Sequence, residues 1–477
     1  MTLMHAQPFI KGEWAADDRE SVHIQSPYTG EVIGKQWIST ELDVEMALAA
    51  AFAAKKVVAS LPSYERSRIL LNTALRLNQD KERFAELISR ELGKPLKYTL
   101  NEVSRSIETL QLSGEEAKRL NGETLPGDAS DRGTHSIAMT FRVPVGVVAA
   151  ITPFNAPLNL VCHKVGPAFA AGNSIILKPA PQASLVATEF LRILLASGYP
   201  REGIQMLLGG EQVGRQIVKD DRVNVISFTG GVGAAKNICS LAGMKKVLLE
   251  LGGNSATIVH FDADLRYAAK QCVKSGFSNS GQSCISVQRI FVHHSVLPEF
   301  VQLLKNEVKT LKLGDPLLPD TDVGSLVDGN AAKRVFDWIQ EAIGMGSTLL
   351  CGGGRDGAIV EPTVLLDPPK DSKVVCQEVF GPVVSVIAYE TIEEVIHEVN
   401  DSQYGLQAGI FTTSIDFAYK VARSLEVGGV IINGTSNFRL DHWPYGGVKN
   451  SGSGREGPHY AIQEMSELKM IVYQANN

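Results

Sequence analysis

Apolar residues return along this chain with two periods. Between 41 and 92 they recur at helical spacing, and the run A-L-A-A-A-F-A-A-K-K is rich in strong helix formers. The pattern predicts two helices broken near Pro62, the second capped by Ser63 and stopped by Gly93 and Pro95. One more helix is expected over roughly 96–120. Across 122–144 the rhythm changes: Gly, Asp and Ser give way to the alternation H-S-I-A-M-T-F-R-V, which predicts a strand hairpin reaching away from the body. The first 35 or so residues mix Gly, Pro and short β-prone pieces, expected as a strand or two laid on a larger unit.

Beyond this point apolar runs alternate with amphipathic helical stretches. The runs are V-G-V-V-A-A-I, S-I-I-L, I-Q-M-L, V-N-V-I-S-F and K-V-L-L-E. Such alternation argues for an α/β fold with a parallel sheet covered on both faces. After Gly253 it resumes with S-A-T-I-V, a helix from Asp264, R-I-F-V and a helix from Val296, then V-V-S-V-I-A-Y, A-G-I-F-T and G-G-V-I-I-N. A second α/β domain is therefore expected, with its boundary near Gly252 and Gly253. From Ala461 the chain predicts a last strand, M-S-E-L-K-M-I-V-Y, with no helix after it. There is no internal repeat and no low-complexity tract.

Composition narrows the class. At 477 residues two or three domains are expected, and 44% apolar with 21% charged residues is ordinary for a globular protein. The formal charge, 46 − 52 = −6, leaves no electrostatic footprint for nucleic acid or a membrane surface. No apolar run approaches the roughly 18 residues that cross a bilayer. The first residues lack the basic and apolar regions of a secretory signal. The six cysteines form no C-x-x-C pair, so reduced thiols in a cytoplasmic protein are expected, without a disulfide frame or a metal site.

Candidate chemistry gathers in F-S-N-S-G-Q-S-C-I-S, where Cys284 follows small, polar, turn-forming residues and Gly281 allows a tight turn. A thiol displayed on a polar loop can ionise and reach a ligand, although a loop can also carry a thiol with no role. Glu250 closes the run V-L-L-E before Leu251 and a glycine pair, as a base or as a strand-end carboxylate paired with a lysine. Ligands of open α/β sheets collect at the carboxyl ends of strands. There the first domain places Thr152, Pro153, Phe154 and Asn155, then Lys178, then Gly230 and Gly231. Lys178 closes an apolar strand, where an unpaired ammonium is costly, so it meets an anion or polar ligand unless it lies solvated at the rim. F-T-G-G-V-G-A-A-K offers backbone N–H groups to a phosphate, but it is also a common turn, and the G-x-G-x-x-G fingerprint is absent.

Taken together, P-F-N-A-P, L-K-P-A, F-T-G-G, E-L-G-G, G-Q-S-C, Q-E-V-F-G-P and P-Y-G-G-V-K-N-S-G-S-G-R-E resemble the aldehyde dehydrogenase superfamily over nearly the whole chain. Within it the chain looks most like the lactaldehyde, non-phosphorylating glyceraldehyde-3-phosphate and 3-sulfolactaldehyde dehydrogenases. The resemblance implies two doubly wound open-sheet domains: a Rossmann-like cofactor domain over 1–121 and 145–252, and a catalytic domain over 253–449. It also implies a small β oligomerisation element from 122–144 and 450–477 that builds a homodimer or homotetramer. Cys284 would attack the aldehyde to give a thiohemiacetal that passes hydride to NAD or NADP. Glu250 would activate water to hydrolyse the thioester, a base that coenzyme-A-acylating relatives lack, and Asn155 would hold the oxyanion. Family position puts Glu378 on the nicotinamide ribose and Phe380 behind the ring, and it matches Glu467 to a carboxylate that orders the water near Glu250. Two departures bear on the cofactor. Pro181 stands where NAD-preferring members often carry a glutamate for the adenosine ribose, which leaves room for NADP. The G-S-x-x-x-G turn of the family is here Gly230, Gly231 and Ala235.

The same resemblance points to a small anionic or hydroxylated aldehyde, with His163, Arg439 and Arg105 on a phosphate, sulfonate or carboxylate and Asn159 on a hydroxyl. The plainer reading pairs Arg439 with Asp441 or Asp264 and Arg105 with Glu102 or Glu108, and makes His163 a packing residue. Succinate semialdehyde is the alternative substrate, although relatives that use it carry an arginine where His163 falls. From other classes, a non-catalytic structural or binding homologue need not keep Cys284, Glu250 and Asn155 together. A cysteine hydrolase would need a histidine beside its thiol.

Overall fold

The computed structural model describes residues 3–16 and 19–474. Residues 1–2, 17–18 and 475–477, which fall in the expected cofactor and oligomerisation segments, lie outside the described residues. The helical stretch up to 92 holds three helices rather than two: α1 (Glu41–Ser60), α2 (Ser63–Gln79) and α3 (Lys81–Leu92). The unexpected break is at Asp80, whose side chain pairs with Arg83 instead of capping α3. Ser63 does not cap α2 either; it is already helical, and Pro62, with its fixed φ, stands at the boundary. A capping box that the periodicity did not reveal starts α1, where Thr40 accepts from the Asp43 N–H and Asp43 accepts from the Thr40 N–H. Gly93 ends α3 in the left-handed conformation, at φ 68°. The next helix, α4 (Leu96–Glu116), stops four residues short of its expected end.

Among the described residues, one open sheet runs in the order Gly452–Ser453, Lys246–Glu250, Val225–Thr229, Val147–Ile151, Ser174–Lys178, Ile204–Met206, Phe9–Ile10, Glu13–Trp14. Its five central strands are parallel. Alternate residues of Val147–Ile151 enter two cores. Val148 and Ala150 pack with α2, α3, α4, α5 (Asn159–Ala170) and α6 (Ser184–Ala196). Val147, Ala149 and Ile151 pack with α1, α7 (Glu211–Lys219) and α8 (Val232–Leu241). Successive strands from Val147 step one way across the sheet, then Val225–Thr229 and Lys246–Glu250 step the other way. That reversal opens a crevice beyond Ile151 and Thr229.

Across Gly252 and Gly253 the chain enters a second sheet, ordered Thr348–Cys351, Thr363–Leu366, Val383–Tyr389, Arg289–His293, Ala256–Val259, Gln407–Phe411, Gly429–Ile432. All but the first of these strands are parallel. Helix α9 (Leu265–Phe277) covers one face and leads into the Cys284 loop. Cys284 and Glu378 both precede strands of this sheet, so they sit at its amino ends, facing the carboxyl ends of the first. A third sheet pairs Ser466–Gln474 along the full length of Ser136–Pro144, with Thr124–Pro126 beyond. The stretch before it departs from the expected division. Gly452–Ser453 edges the first sheet, and Ile462 and Met465 are buried in its core, so only the final strand joins the hairpin. No helix among the described residues is long and apolar enough to cross a membrane, and none of their side chains form a cluster fit for a metal.

Candidate active site

The Cys284 loop is not the displayed polar segment that its composition suggests. Ser280, Gly281, Gln282 and Ser286 are buried, and their polar groups are used inside the protein. Ser280 donates to the Gly324 carbonyl, Gln282 accepts from the Val327 N–H, and Ser286 donates to the carbonyls of Ser275 and Gly276. Three consecutive residues, Asn279, Ser280 and Gly281, hold φ of 51°, 54° and 71°. For the first two this is strained backbone of the kind that persists where surrounding structure fixes it, commonly at functional sites. The Asn279 amide donates to the carbonyls of Asn155 and Gln282, and the Asn155 amide donates to the Gln282 carbonyl at 3.1 Å. Asn155 is thus bound to the same turn that delivers Cys284. The sulfur, half-buried beside Ile285, Leu406 and Tyr445, lies 3.0 Å from the Tyr445 hydroxyl. Burial pushes the thiol above its ordinary range, and the hydrogen bond from Tyr445 works against that push.

Glu250 ends its strand buried, with Oε2 free of any hydrogen bond among the described residues. Burial, and then the charge of Glu456, raise its carboxyl well above the ordinary range, while Arg439 and Lys164 oppose them. Glu456 behaves oppositely. Although burial raises it too, Lys164 at 3.3 Å and Arg439 at 3.1 Å hold it at about 2. Of this buried pair, Glu456 carries the charge and Glu250 keeps the higher proton affinity. The carboxylate beside Glu250 is therefore Glu456, and the expectation for Glu467 is corrected. Glu467 lies exposed on the final strand, opposite Val143, where every residue from Glu467 to Gln474 is exposed.

A second buried carboxylate, Asp441, gathers the residues expected to meet the substrate. Arg105 donates to it through Nε and Nη2 at 2.9 and 2.7 Å, His163 Nε2 at 2.8 Å and the Asn159 amide at 3.2 Å. An ionised carboxylate only accepts, so in this contact Nε2 of His163 is the donor, and the same nitrogen lies 3.1 Å from Arg439 Nη2. Against the upward push of burial, His163 and Arg105 hold Asp441 well below the usual carboxylate range. Arg439, placed between Asp441 and Glu456, stacks its guanidinium 3.8 Å from the Tyr445 ring. His163, Asn159 and Arg439 are thus occupied with protein partners. Only Arg105 of the four lines the adjoining cavity of about 550 Å³, together with Lys94, Glu102, Asn155, Lys274 and Ser283. Lys94 is paired with Glu102 at 2.6 Å, whereas Lys274, at the end of α9, has no charged partner among the described residues.

The expected cofactor residues surround the crevice of the first sheet. Lys178 is buried without a partner among the described residues, and burial lowers its ammonium to about 8. The hydroxyls of Thr152 and Thr229 are also buried and unbonded. Helix α8 follows Gly231, which gives it no side-chain cap, so its first N–H groups remain open, and the Gly230 N–H bonds the Glu250 carbonyl. Orphaned donors of this kind around a helix N-terminus fit an anionic, hydroxyl-bearing nucleotide. Leu251 is buried, and its N–H is taken by Ser451. Pro153 and Phe154 are half-buried, and Phe154 meets Phe380 edge to face with centroids 5.9 Å apart. Phe380 has φ 49°, and Glu378 accepts from the Gly253 N–H with its carboxyl raised to about 7 by burial. Tyr445, Glu456, Lys164 and Asp441 were not expected as site residues. The motif P-Y-G-G and the buried lysine of α5 were the available signals, but neither says which side chains they meet.

Comparison with known proteins gives a consistent result. Residues 14–471 match the model of the Aldehyde dehydrogenase family. A 3-sulfolactaldehyde dehydrogenase of Priestia aryabhattai is 46% identical over 465 residues, covering 97% of each chain. A lactaldehyde dehydrogenase of Methanococcus aeolicus is 40% identical over 97% of this chain and 99% of its own. The crystal structure of a glyceraldehyde-3-phosphate dehydrogenase from Methanocaldococcus jannaschii, complexed with NADP, superposes with a TM-score of 0.93 at 40% identity, covering 96% of this chain and 100% of that one.

Proposed function

This chain belongs to the aldehyde dehydrogenase family, and we propose that it oxidises a short anionic or hydroxylated aldehyde, of the 3-sulfolactaldehyde, lactaldehyde or glyceraldehyde 3-phosphate type, to its carboxylate. The observation that carries the substrate class is the cavity wall. Of its three cations, Lys94 is paired with Glu102 and Arg105 with the buried Asp441, which leaves Lys274 as the cation without a charged partner among the described residues. Arg439 and His163 leave the proposal as direct contacts, and Lys274 enters it.

In the reaction, the Cys284 sulfur bonds to the aldehyde carbon, and the negative charge passes to the carbonyl oxygen. The Asn155 amide leaves the Gln282 carbonyl to receive it, with the Cys284 N–H beside it; one such donor contributes about 3 kcal/mol. NAD or NADP, when bound, supplies the hydride acceptor. Lys178, Thr152 and the open end of α8 would hold its phosphate and ribose groups, and Glu378 and Phe380 would fix the other end. Glu250 takes a proton from the water that cleaves the thioester, a task suited to a carboxylate whose proton affinity is raised. The same reading assigns 1–121 and 145–252 to the cofactor and 253–449 to catalysis, and assigns the hairpin with the final strand to assembly of a dimer or tetramer.

The test compares 3-sulfolactaldehyde, glyceraldehyde 3-phosphate, succinic semialdehyde and neutral lactaldehyde, each with NAD and with NADP. In Lys274→Ala, KM for the anionic aldehydes should rise about fivefold, the scale of one exposed charge contact, and that for lactaldehyde should stay. Equal change for charged and neutral substrates would reject the anionic class.

A further inference from the structure

The aromatic residue of P-Y-G-G is held more firmly than packing alone requires. Tyr445 is buried, and its backbone is locked by two hydrogen bonds to Glu456, at 3.1 Å from its own N–H and 2.7 Å into its carbonyl. Its ring is stacked by the Arg439 guanidinium at 3.8 Å, and Arg439 is anchored in turn by Glu456. The hydroxyl carried by this clamped ring ends 3.0 Å from the Cys284 sulfur. A phenylalanine would fill the same space among Ile285 and Leu406 without touching the sulfur through a polar atom.

We propose that the Tyr445 hydroxyl is a further catalytic group, which donates a hydrogen bond to the ionised Cys284 sulfur and so favours the thiolate before the aldehyde arrives. The direction of donation follows from chemistry. A thiolate can only accept, and burial followed by the neighbouring sulfur raises the phenol well above its ordinary range, so it keeps its proton. Besides burial, four groups then act on the sulfur, one neutral hydroxyl and three charged side chains. Tyr445 and Arg439 favour its ionisation, while Glu378 and Glu250 oppose it. The cation stacked on the phenol ring draws electron density from it and strengthens its O–H as a donor. When sulfur bonds to the carbonyl carbon, its lone pair enters the new S–C bond and the hydrogen bond loosens. The phenol proton stays on Tyr445, and the charge moves to the carbonyl oxygen beside Asn155.

This inference rests on Cys284 as the nucleophile, and it is tested first without turnover. Iodoacetamide alkylation of Cys284, located by peptide mapping, is followed against pH in wild type and Tyr445→Phe. Loss of the hydrogen bond should raise the midpoint by about one pH unit. Nucleophilicity rises less steeply than basicity, so the two profiles should cross. The variant should be about threefold slower at neutral pH and about threefold faster above both midpoints. kcat/KM for an accepted aldehyde should cross in the same sense. Loss of packing alone would slow the variant at every pH. An unmoved midpoint, or a variant that is slower throughout, overturns the proposal. A shifted alkylation midpoint in a protein that oxidises no aldehyde would instead reject the dehydrogenase reading and leave the role of Tyr445 standing.

Discussion

At the scale of single residues, the division of labour between two buried carboxylates sets the pH behaviour. Burial first, and then the Glu456 charge, lift Glu250, whereas Lys164 and Arg439 hold Glu456 ionised. Glu456→Gln removes a like charge from beside Glu250 and leaves both cations free to act on it. The proton affinity of Glu250 should therefore fall, and the acid limb of single-turnover thioester hydrolysis should move to lower pH by about one unit. A limb that moves upward, or stays, would show that Glu456 does not act on the base. That Cys284, Glu250 and Asn155 belong near one another was legible in the sequence because each sits inside a short motif with a local chemical meaning. Glu456 and Asp441 were not, because their roles come from contacts between distant positions. Asp441 meets Arg105 and His163, and Glu456 meets Lys164. The expectation for Glu467 failed for a related reason: a motif does not reveal that the whole strand from Glu467 to Gln474 lies exposed on both faces.

At the scale of elements, the alternation of strands and helices was legible because most buried strands of both sheets are short, mainly apolar runs set off by amphipathic helices. The break at Asp80 was not legible, since Gln79, Asp80 and Lys81 carry no breaker residue. The Cys284 loop misled differently. Its polar residues satisfy buried backbone groups instead of facing water, which composition cannot distinguish. That loop also abuts the Glu378–Phe380 segment. A Cβ at Gly281 would lie 2.0 Å from the Gly381 carbonyl, at a φ of 71° that already disfavours side chains. Gly243, at φ 62° with nothing within 4 Å, isolates the conformational part. Gly243→Ala should cost about 1 kcal/mol in urea unfolding, and Gly281→Ala about 3 kcal/mol or more. Only the second should raise KM for the cofactor, because only it displaces the turn that carries Glu378 and Phe380. Equal losses in the two variants would show that the loop and this turn are not mechanically joined.

At the scale of the whole molecule, the third sheet cannot be explained by the single chain. Ser466–Gln474 is a nine-residue edge strand paired on one side only, and a long bare edge of this kind invites another strand. Leu468, Met470 and Val472 point to one side of it and are 61%, 58% and 46% exposed, while Ile471 and Tyr473 are exposed on the other. Ile137 and Met139, paired with Tyr473 and Ile471, extend that second face onto the neighbouring strand. Burying such a surface is worth roughly 25 cal/mol per Å² of apolar area, enough to hold copies together over a patch of ordinary interface size. We propose a second copy of the chain as the occupant, since the strand and the hairpin together offer one paired, largely exposed surface. Light scattering of the wild type should give a mass of two or four chains at micromolar concentration. Leu468→Lys combined with Val472→Lys puts two like charges on the face of Leu468, Met470 and Val472 without altering backbone pairing, so it should lower that mass while leaving the far-ultraviolet circular dichroism unchanged. A wild type that scatters as one chain, or a double variant whose mass does not fall, would mean that this sheet does not join subunits.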